Sequence, residues 1–228
     1  MTIPQLRLLV EGDGDRLAVP LLVKKILKDI GASQHLVIQD EPMKIGAFHK
    51  LVGVKQDLSR WQNYLQAAVI KPQVVGCLTI LDGDDHKFLH DGAAFCASRA
   101  AKILADSAAQ VGAGTRFSTA IVIASQEFES WLIGAIGHLR GQSIDQRIAV
   151  PDDLVLPADP EIAPRNAKKW LSTNLGGYAP TRDQDVLTRA LPLEAFRSSK
   201  MRSFRRLENA IQQLVEAARS GQHVVTPR

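Results

Sequence analysis

Val74-Val75-Gly76-Cys77-Leu78-Thr79-Ile80-Leu81 runs directly into Asp82-Gly83-Asp84-Asp85. The apolar run has the length and β-branched content of a strand buried on both faces. Such strands belong to parallel sheets covered by helices on either side. The carboxylates that follow stand where an open α/β sheet forms its ligand sites, at the carboxyl end of a strand. The same grammar occurs near the N-terminus, where Leu6-Arg7-Leu8-Leu9-Val10 leads into Glu11-Gly12-Asp13-Gly14-Asp15. Carboxylates crowded at one rim repel one another unless a cation compensates, and oxygen-rich acidic sites suit Mg²⁺ or Mn²⁺.

Outward from these runs, strand and helix patterns alternate. A helix is predicted from about Arg16 to Ile30, with Val19, Leu22, Val23, Ile26 and Ile30 at helical spacing, Pro20 tolerated near its first turn and Gly31 closing it. His35 to Ile38 reads as a short strand, Pro42 to Gly53 as a loop, and Asp57 to Ile70 as a helix ended by Lys71-Pro72. Asp91 to Val111 reads as an Ala-rich helix stopped by Gly112 and Gly114, and Thr119 to Ala124 as another strand. A helix begins within Ser125 to Ile133. The β-α-β-α-β-α-β-α order predicts an α/β fold: a mostly parallel four- or five-stranded sheet flanked by helices. The pattern changes after Gly137. Residues 150–164 hold four prolines and several acids and read as a linker or extended loop. Helices follow near Arg165–Thr173, Asp183–Ala190, Leu193–Ser198 and Ser203–Arg219, the last presenting Phe204, Leu207, Ile211, Leu214, Val215 and Ala218 on one face. The expected organisation is an α/β core over residues 1–137, with a proline-rich linker and helical extension over 138–228 packed on it.

Composition sets the outer bounds. The 228 residues are 45% hydrophobic and 23% charged, enough for one sizeable core. No apolar run approaches the ~20 residues of a membrane span, so no membrane association is expected. Met1 to Pro4 lacks a basic region followed by an apolar stretch, so no signal peptide is visible. Cys77 and Cys96 suggest neither a pair nor a zinc site, and two buried thiols fit a reducing cytoplasm. The net charge of +4 is wholly C-terminal: 10 basic and 3 acidic residues lie between Arg165 and Arg206. Such a patch can contact phosphates or can be a solvated helical surface.

Val10-Glu11-Gly12 with an acid at position 15, followed by Leu81-Asp82-Gly83-Asp84, resembles the TOPRIM signature, in which a first strand ends in Glu and a later one in Asp-x-Asp. Glu127-Phe128-Glu129-Ser130-Trp131-Leu132, Asn166-Ala167-Lys168-Lys169 and Lys200-Met201-Arg202-Ser203-Phe204-Arg205-Arg206-Leu207 narrow the resemblance. Together they look like a stand-alone prokaryotic TOPRIM-like family of unassigned function. It is related to the TOPRIM domains of overcoming-lysogenization-defect (OLD) nucleases. Its members are often encoded beside AAA-type ATPases and are associated with phage defence.

The resemblance implies a TOPRIM-like Rossmannoid fold and a Mg²⁺- or Mn²⁺-dependent nuclease or phosphotransferase. Asp82 and Asp84, two residues apart in a turn, would be metal ligands, with Glu11 a further ligand or the general acid/base. Gly12, Gly14 and Gly83 would let backbone and phosphate approach closely. Asp15 stands where related sequences often have Glu. Its shorter side chain makes a second metal there doubtful, and capping the following helix is its other reading. In the nuclease branch, acids near Glu127 and Glu129 complete the site, although helix N-terminal acids are also favoured by the macrodipole. Positions two apart on a helix diverge, and the core face set by Trp131 and Leu132 selects Glu129. Lys168 and Lys169 could face a transition-state phosphate or be a charged helix face. Lys200, Arg202, Arg205 and Arg206 could hold a nucleic-acid backbone, without interleaved aromatics for base stacking. His86 and His90 lack a third ligand at metal spacing and read as surface histidines.

Three other readings bear on the same residues. One is a non-catalytic TOPRIM-like binding or effector subunit of an AAA-type ATPase. Another is a haloacid-dehalogenase-like phosphatase, but that superfamily carries its Asp-x-Asp on the first strand, and here the first strand ends in Glu11. A Walker-type NTPase lacks its Gly-x-x-x-x-Gly-Lys-Ser/Thr run.

Overall fold

The computed structural model describes residues 3–39, 41–52, 57–84, 89 and 93–227. The elements in chain order are β1 (Gln5–Val10), α1 (Asp15–Asp29), β2 (Val37–Ile38), β3 (Met43–Lys44), α2 (Phe48–Leu51), α3 (Ser59–Ala68), β4 (Val74–Asp82), α4 (Ala97–Gln110), β5 (Ser118–Ala124) and α5 (Phe128–Ile136). A 3-10 turn (Gly137–Leu139) leads to β6 (Ser143–Ile144), β7 (Ile148–Ala149), α6 (Ala167–Asn174), α7 (Pro180–Ala190), α8 (Leu193–Ser198), α9 (Arg202–Ser220) and β8 (Val225–Thr226).

The main sheet runs β2-β1-β4-β5-β8, with β3 also pairing β1, and each of these pairings is parallel. Six strands exceed the four or five expected. The additions, β3 and β8, are two residues each, too short to leave a hydrophobic period in the sequence. The predicted loop over 42–53 also contains α2, whose Phe48 and Leu51 are buried. The antiparallel β6–β7 hairpin, two residues per strand, has no counterpart in the predicted element order for the same reason.

Alternation along each strand splits the core in two. Leu6, Leu8 and Val10 of β1, Leu78 and Ile80 of β4, and Ala120 and Val122 of β5 pack one face against α1, α5 and the helices from α6 to α9. Leu9, Cys77, Leu81, Ile121 and Ile123 pack the other face against α2, α3 and α4. A strand buried on both faces must be apolar at successive positions, which is why β4 and β5 read as unbroken hydrophobic runs. β8, near residue 226, closes the edge by pairing Val225 and Thr226 with Thr119 and Ala120.

Helix limits depart from the expected ones by a few residues. α4 starts at Ala97 rather than Asp91, and Asp91 itself lies outside the described residues, as do His86 and His90. Cys96 therefore precedes the helix and is exposed, which corrects the expectation of two buried thiols; Cys77 is buried. Pro20 lies in the second turn of α1 rather than the first, where it removes one backbone hydrogen bond without ending the helix. The 150–164 segment is an extended loop with a structural task. The Glu161 carboxylate accepts the N–H groups of Arg202 and Ser203 at 2.8 and 2.7 Å, satisfying two orphan donors at the start of α9. At the other end Gly221, at φ 73°, supplies the left-handed stop. Among the described residues no helix is long and apolar enough to cross a membrane.

Candidate active site

The chain leaves β1 for one side of the sheet and returns to β4 on the other, so the strand order reverses between β1 and β4. The crevice at such a reversal, beyond the carboxyl ends of the strands, is where α/β sheets bind ligands. Glu11 and Asp82 stand at this rim. Val10 is in register with Ile80, and Asp82 with Ala124, so the first residue after β1, the end of β4 and the β5–α5 turn meet. A cleft of about 180 Å³ opens there, lined by Glu11 to Asp15, Asp82, Glu129, Lys168, Pro180, Thr181 and Gln184.

Each acid is held by a specific donor. Glu11 Oε2 accepts the backbone N–H of Asp82 at 3.0 Å, tying the two strand ends together. Asp82, 8% exposed, accepts the Phe128 N–H through Oδ1 at 2.9 Å and faces Lys168 Nζ through Oδ2 at 3.4 Å. Asp15 Oδ2 accepts the Gly12 N–H at 2.8 Å, and its Oδ1 accepts from Gln184 Nε2 at 2.8 Å. Asp15 is the first residue of α1; Gly14 occupies the cap position with no side-chain cap. The capping reading for Asp15 is thereby corrected: it closes the Glu11–Asp15 turn and pins that turn to α7.

Glu127 and Glu129 both reach the site. Glu127 Oε1 accepts from Lys168 Nζ at 3.0 Å, its Oε2 accepts the Lys168 N–H at 3.1 Å, and Glu129 Oε2 lies 3.8 Å from the same ammonium. Glu127 escapes the helical divergence expected to select Glu129 alone, because it is not in the helix. It is the extended residue before α5, with φ −139° and ψ 160°. Its orientation is prepared by Gln126, at φ 65°, whose carbonyl accepts the Gly83 N–H at 2.6 Å. Glu129, 1% exposed, also accepts the Tyr178 hydroxyl at 3.1 Å.

Electrostatics follow from this crowding. Burial raises the Glu11 carboxyl to about 7, aided by the charges of Asp15 and Asp84 and opposed by the Asp82 N–H and Lys168. Burial likewise raises Glu129 to about 7, against the pull of Lys168. Asp82 is pushed well above the carboxylate range by burial and then by Asp15. Burial and the neighbouring Glu127 raise Asp84. Burial works to deprotonate Lys168, but Asp82, Glu129 and Glu127 outweigh it and hold the ammonium above the usual lysine range. One lysine thus faces three acids, Asp82, Glu127 and Glu129.

The structure therefore brings Glu11, Asp15, Asp82, Asp84, Glu129 and Lys168 together. Sequence reading passed over Tyr178 and Gln184 and set Glu127 aside. Tyr178, just after Gly176-Gly177 beyond α6, and Gln184 in α7 are both buried and left no local signal in the sequence. Lys169 is exposed, and its N–H is capped by Asn166 Oδ1 at 2.8 Å. Lys200, Arg202, Arg205 and Arg206 are exposed around the start of α9 and do not line the cleft. Arg206 instead borders a separate groove of about 270 Å³ beside Ile121, Ile123 and Thr226.

Among the described residues, no three His, Cys, Asp or Glu side chains are arranged to hold one ion. The donors present are carboxyl oxygens, the type that a hard divalent cation takes.

No curated protein matches the chain. A solved structure, the C-terminal region of the Burkholderia pseudomallei OLD protein, is similar at 13% sequence identity and a TM-score of 0.47, covering 94% of this chain and 100% of that one. The domain of unknown function DUF4276 matches residues 10–212, from the last residue of β1 into α9, and the chain belongs to that family.

Proposed function

We propose that this protein is a divalent-metal-dependent nuclease, or a related phosphotransferase, of TOPRIM type that acts on nucleic acid, with a role in phage defence. The observation that carries the reading is the meeting of Glu11, Asp82, Asp84, Glu127 and Glu129 with a single lysine at the strand-order reversal. Asp82, Asp84 and Glu11 would hold Mg²⁺ or Mn²⁺, with Glu129 completing the set. The ion would neutralise phosphate charge and lower the pKa of an attacking water. Where Glu11 is not itself a ligand, it would serve as the general acid/base. Asp15, engaged by Gly12 and Gln184, orients the turn that carries Glu11. Lys168 presents positive charge to a bound phosphate. Lys200, Arg202, Arg205 and Arg206 supply backbone contacts away from the cleft.

The test is cleavage of DNA and RNA panels with Mg²⁺ or Mn²⁺, comparing the natural chain with Asp82→Ala and Glu11→Ala, with circular dichroism to verify folding. Cleavage by the natural chain and its loss in both folded variants is expected. Unchanged cleavage in Asp82→Ala refutes the assignment.

The seating of Lys168 among Asp82, Glu127 and Glu129 favours a second reading, because an ammonium there can stand in for a metal without turnover. In that case the chain is a non-catalytic binding or effector subunit of an AAA-type ATPase. Co-purification with an ATPase, without cleavage by the complex, supports it; robust cleavage by the isolated chain excludes it.

A further inference from the structure

We infer that Lys168 is a tethered counter-ion of the acid cluster, and that its ammonium must withdraw from Asp82 and Glu129 before these two acids can hold a divalent cation. The inference rests on the metal-dependent reading above and adds how that site is controlled.

The geometry is that of a cation shared by several anions. The ammonium lies 3.0 Å from Glu127 Oε1, 3.4 Å from Asp82 Oδ2 and 3.8 Å from Glu129 Oε2. These acids come from the end of β4, the residue before α5 and the first turn of α5. The lysine comes from the first turn of α6. The Lys168 side chain is 40% exposed, whereas those of Asp82, Glu127 and Glu129 are 10%, 7% and 1% exposed. The anions are therefore fixed inside, and the cation is the partner with room to leave.

Its departure need not unfold α6. The backbone N–H of Lys168 bonds Glu127 Oε2, and Asn166 caps the helix through Lys169, so the helix stays anchored while the four-carbon side chain swings out. Two cations cannot share the same oxygens at short range without strong repulsion. Occupancy by the ammonium and by a divalent ion is thus competitive. It also follows that Lys168, once released, is positioned at the mouth of the cleft.

The experiment measures Mn²⁺ binding by electron paramagnetic resonance, in the natural chain and in Lys168→Met and Lys168→Arg. Lys168→Met is expected to bind Mn²⁺ about tenfold more tightly. It should melt lower than the natural chain in EDTA and gain more from added Mn²⁺. Lys168→Arg, which keeps the charge, should stay close to the natural chain. Equal affinity in the natural chain and Lys168→Met overturns the inference while leaving metal binding intact. Binding in neither overturns both. Binding as expected with no cleavage by any form refutes the nuclease reading alone. Should Lys168→Met fail to fold, the natural chain suffices: acetylation of Lys168, read by mass spectrometry against the exposed Lys169, should speed up several-fold with Mn²⁺. An unchanged ratio overturns the inference.

Discussion

Glu129 is a carboxyl 1% exposed in the first turn of α5, accepting the Tyr178 hydroxyl and facing Lys168. Its carboxyl rises from an ordinary 4.5 to about 7, chiefly through burial. At low pH the folded and unfolded chains both hold this proton. Between 4.5 and about 7 the unfolded chain has released it and the folded chain has not, so stability falls as pH rises through that window, and the loss is complete above about 7. The metal-free protein is therefore expected to melt at progressively lower temperature from pH 5 to pH 7.5. Glu129→Gln, which cannot ionise, should flatten that slope; calorimetry in EDTA across the range checks it, and parallel slopes would contradict the assignment. Gly83 gives a second expectation at this scale. A Cβ there would lie 2.5 Å from the Ala124 carbonyl oxygen and 3.3 Å from the Gln126 nitrogen. Gly83→Ala must spread the ends of β4 and β5, at a cost of about 1–3 kcal/mol in urea unfolding. It should also weaken Mn²⁺ binding, because Asp82 and Asp84 flank it.

At the scale of elements, β4 and the first turns of α1 and α5 supply anions, and the segment from α6 to α7 supplies side-chain donors to them. Lys168 of α6 reaches Asp82, Tyr178 between α6 and α7 reaches Glu129, and Gln184 of α7 reaches Asp15. Two residues past Glu129, the Trp131 indole fastens α5 to α9, donating to Ser203 Oγ at 2.7 Å with both side chains fully buried. Ser203→Ala leaves that N–H buried without its acceptor and should cost about 1–3 kcal/mol, read from the urea midpoint. These dependencies explain what was legible beforehand. β1, β4 and β5 declare themselves because burial on both faces demands continuous apolar side chains. The acids at their ends are adjacent in sequence to those runs, so Glu11, Asp82 and Asp84 could be read directly. Tyr178 and Gln184 act across about 50 and 170 residues of chain, and no local period records such a meeting. Glu127 was set aside for a different reason: its conformation, extended rather than helical, depends on the left-handed Gln126 before it. β3 and β8 are too short to carry a pattern, and their pairing is decided by the strands they border.

For the molecule as a whole, the same apolar cluster that fills one face of the sheet continues through Leu187, Phe196, Phe204, Leu207 and Ile211 of the C-terminal helices. A fragment of residues 1–137 would expose the sheet face carrying Leu8, Leu78 and Val122, together with Trp131, and strand the rim acids without Lys168, Tyr178 or Gln184. It is expected to aggregate or to lack a cooperative melting transition, which calorimetry and size-exclusion chromatography can check; a sharp, reversible transition would contradict this. One consequence concerns the order of synthesis. The acids of β1 and β4 leave the ribosome first, the ammonium that balances them follows much later, and β8 completes the sheet later still. A nascent chain thus carries every acid of the rim before it carries the groups that organise them. The contacts of Lys168, Tyr178 and Gln184 with those acids form only once α6 and α7 have been made and have docked.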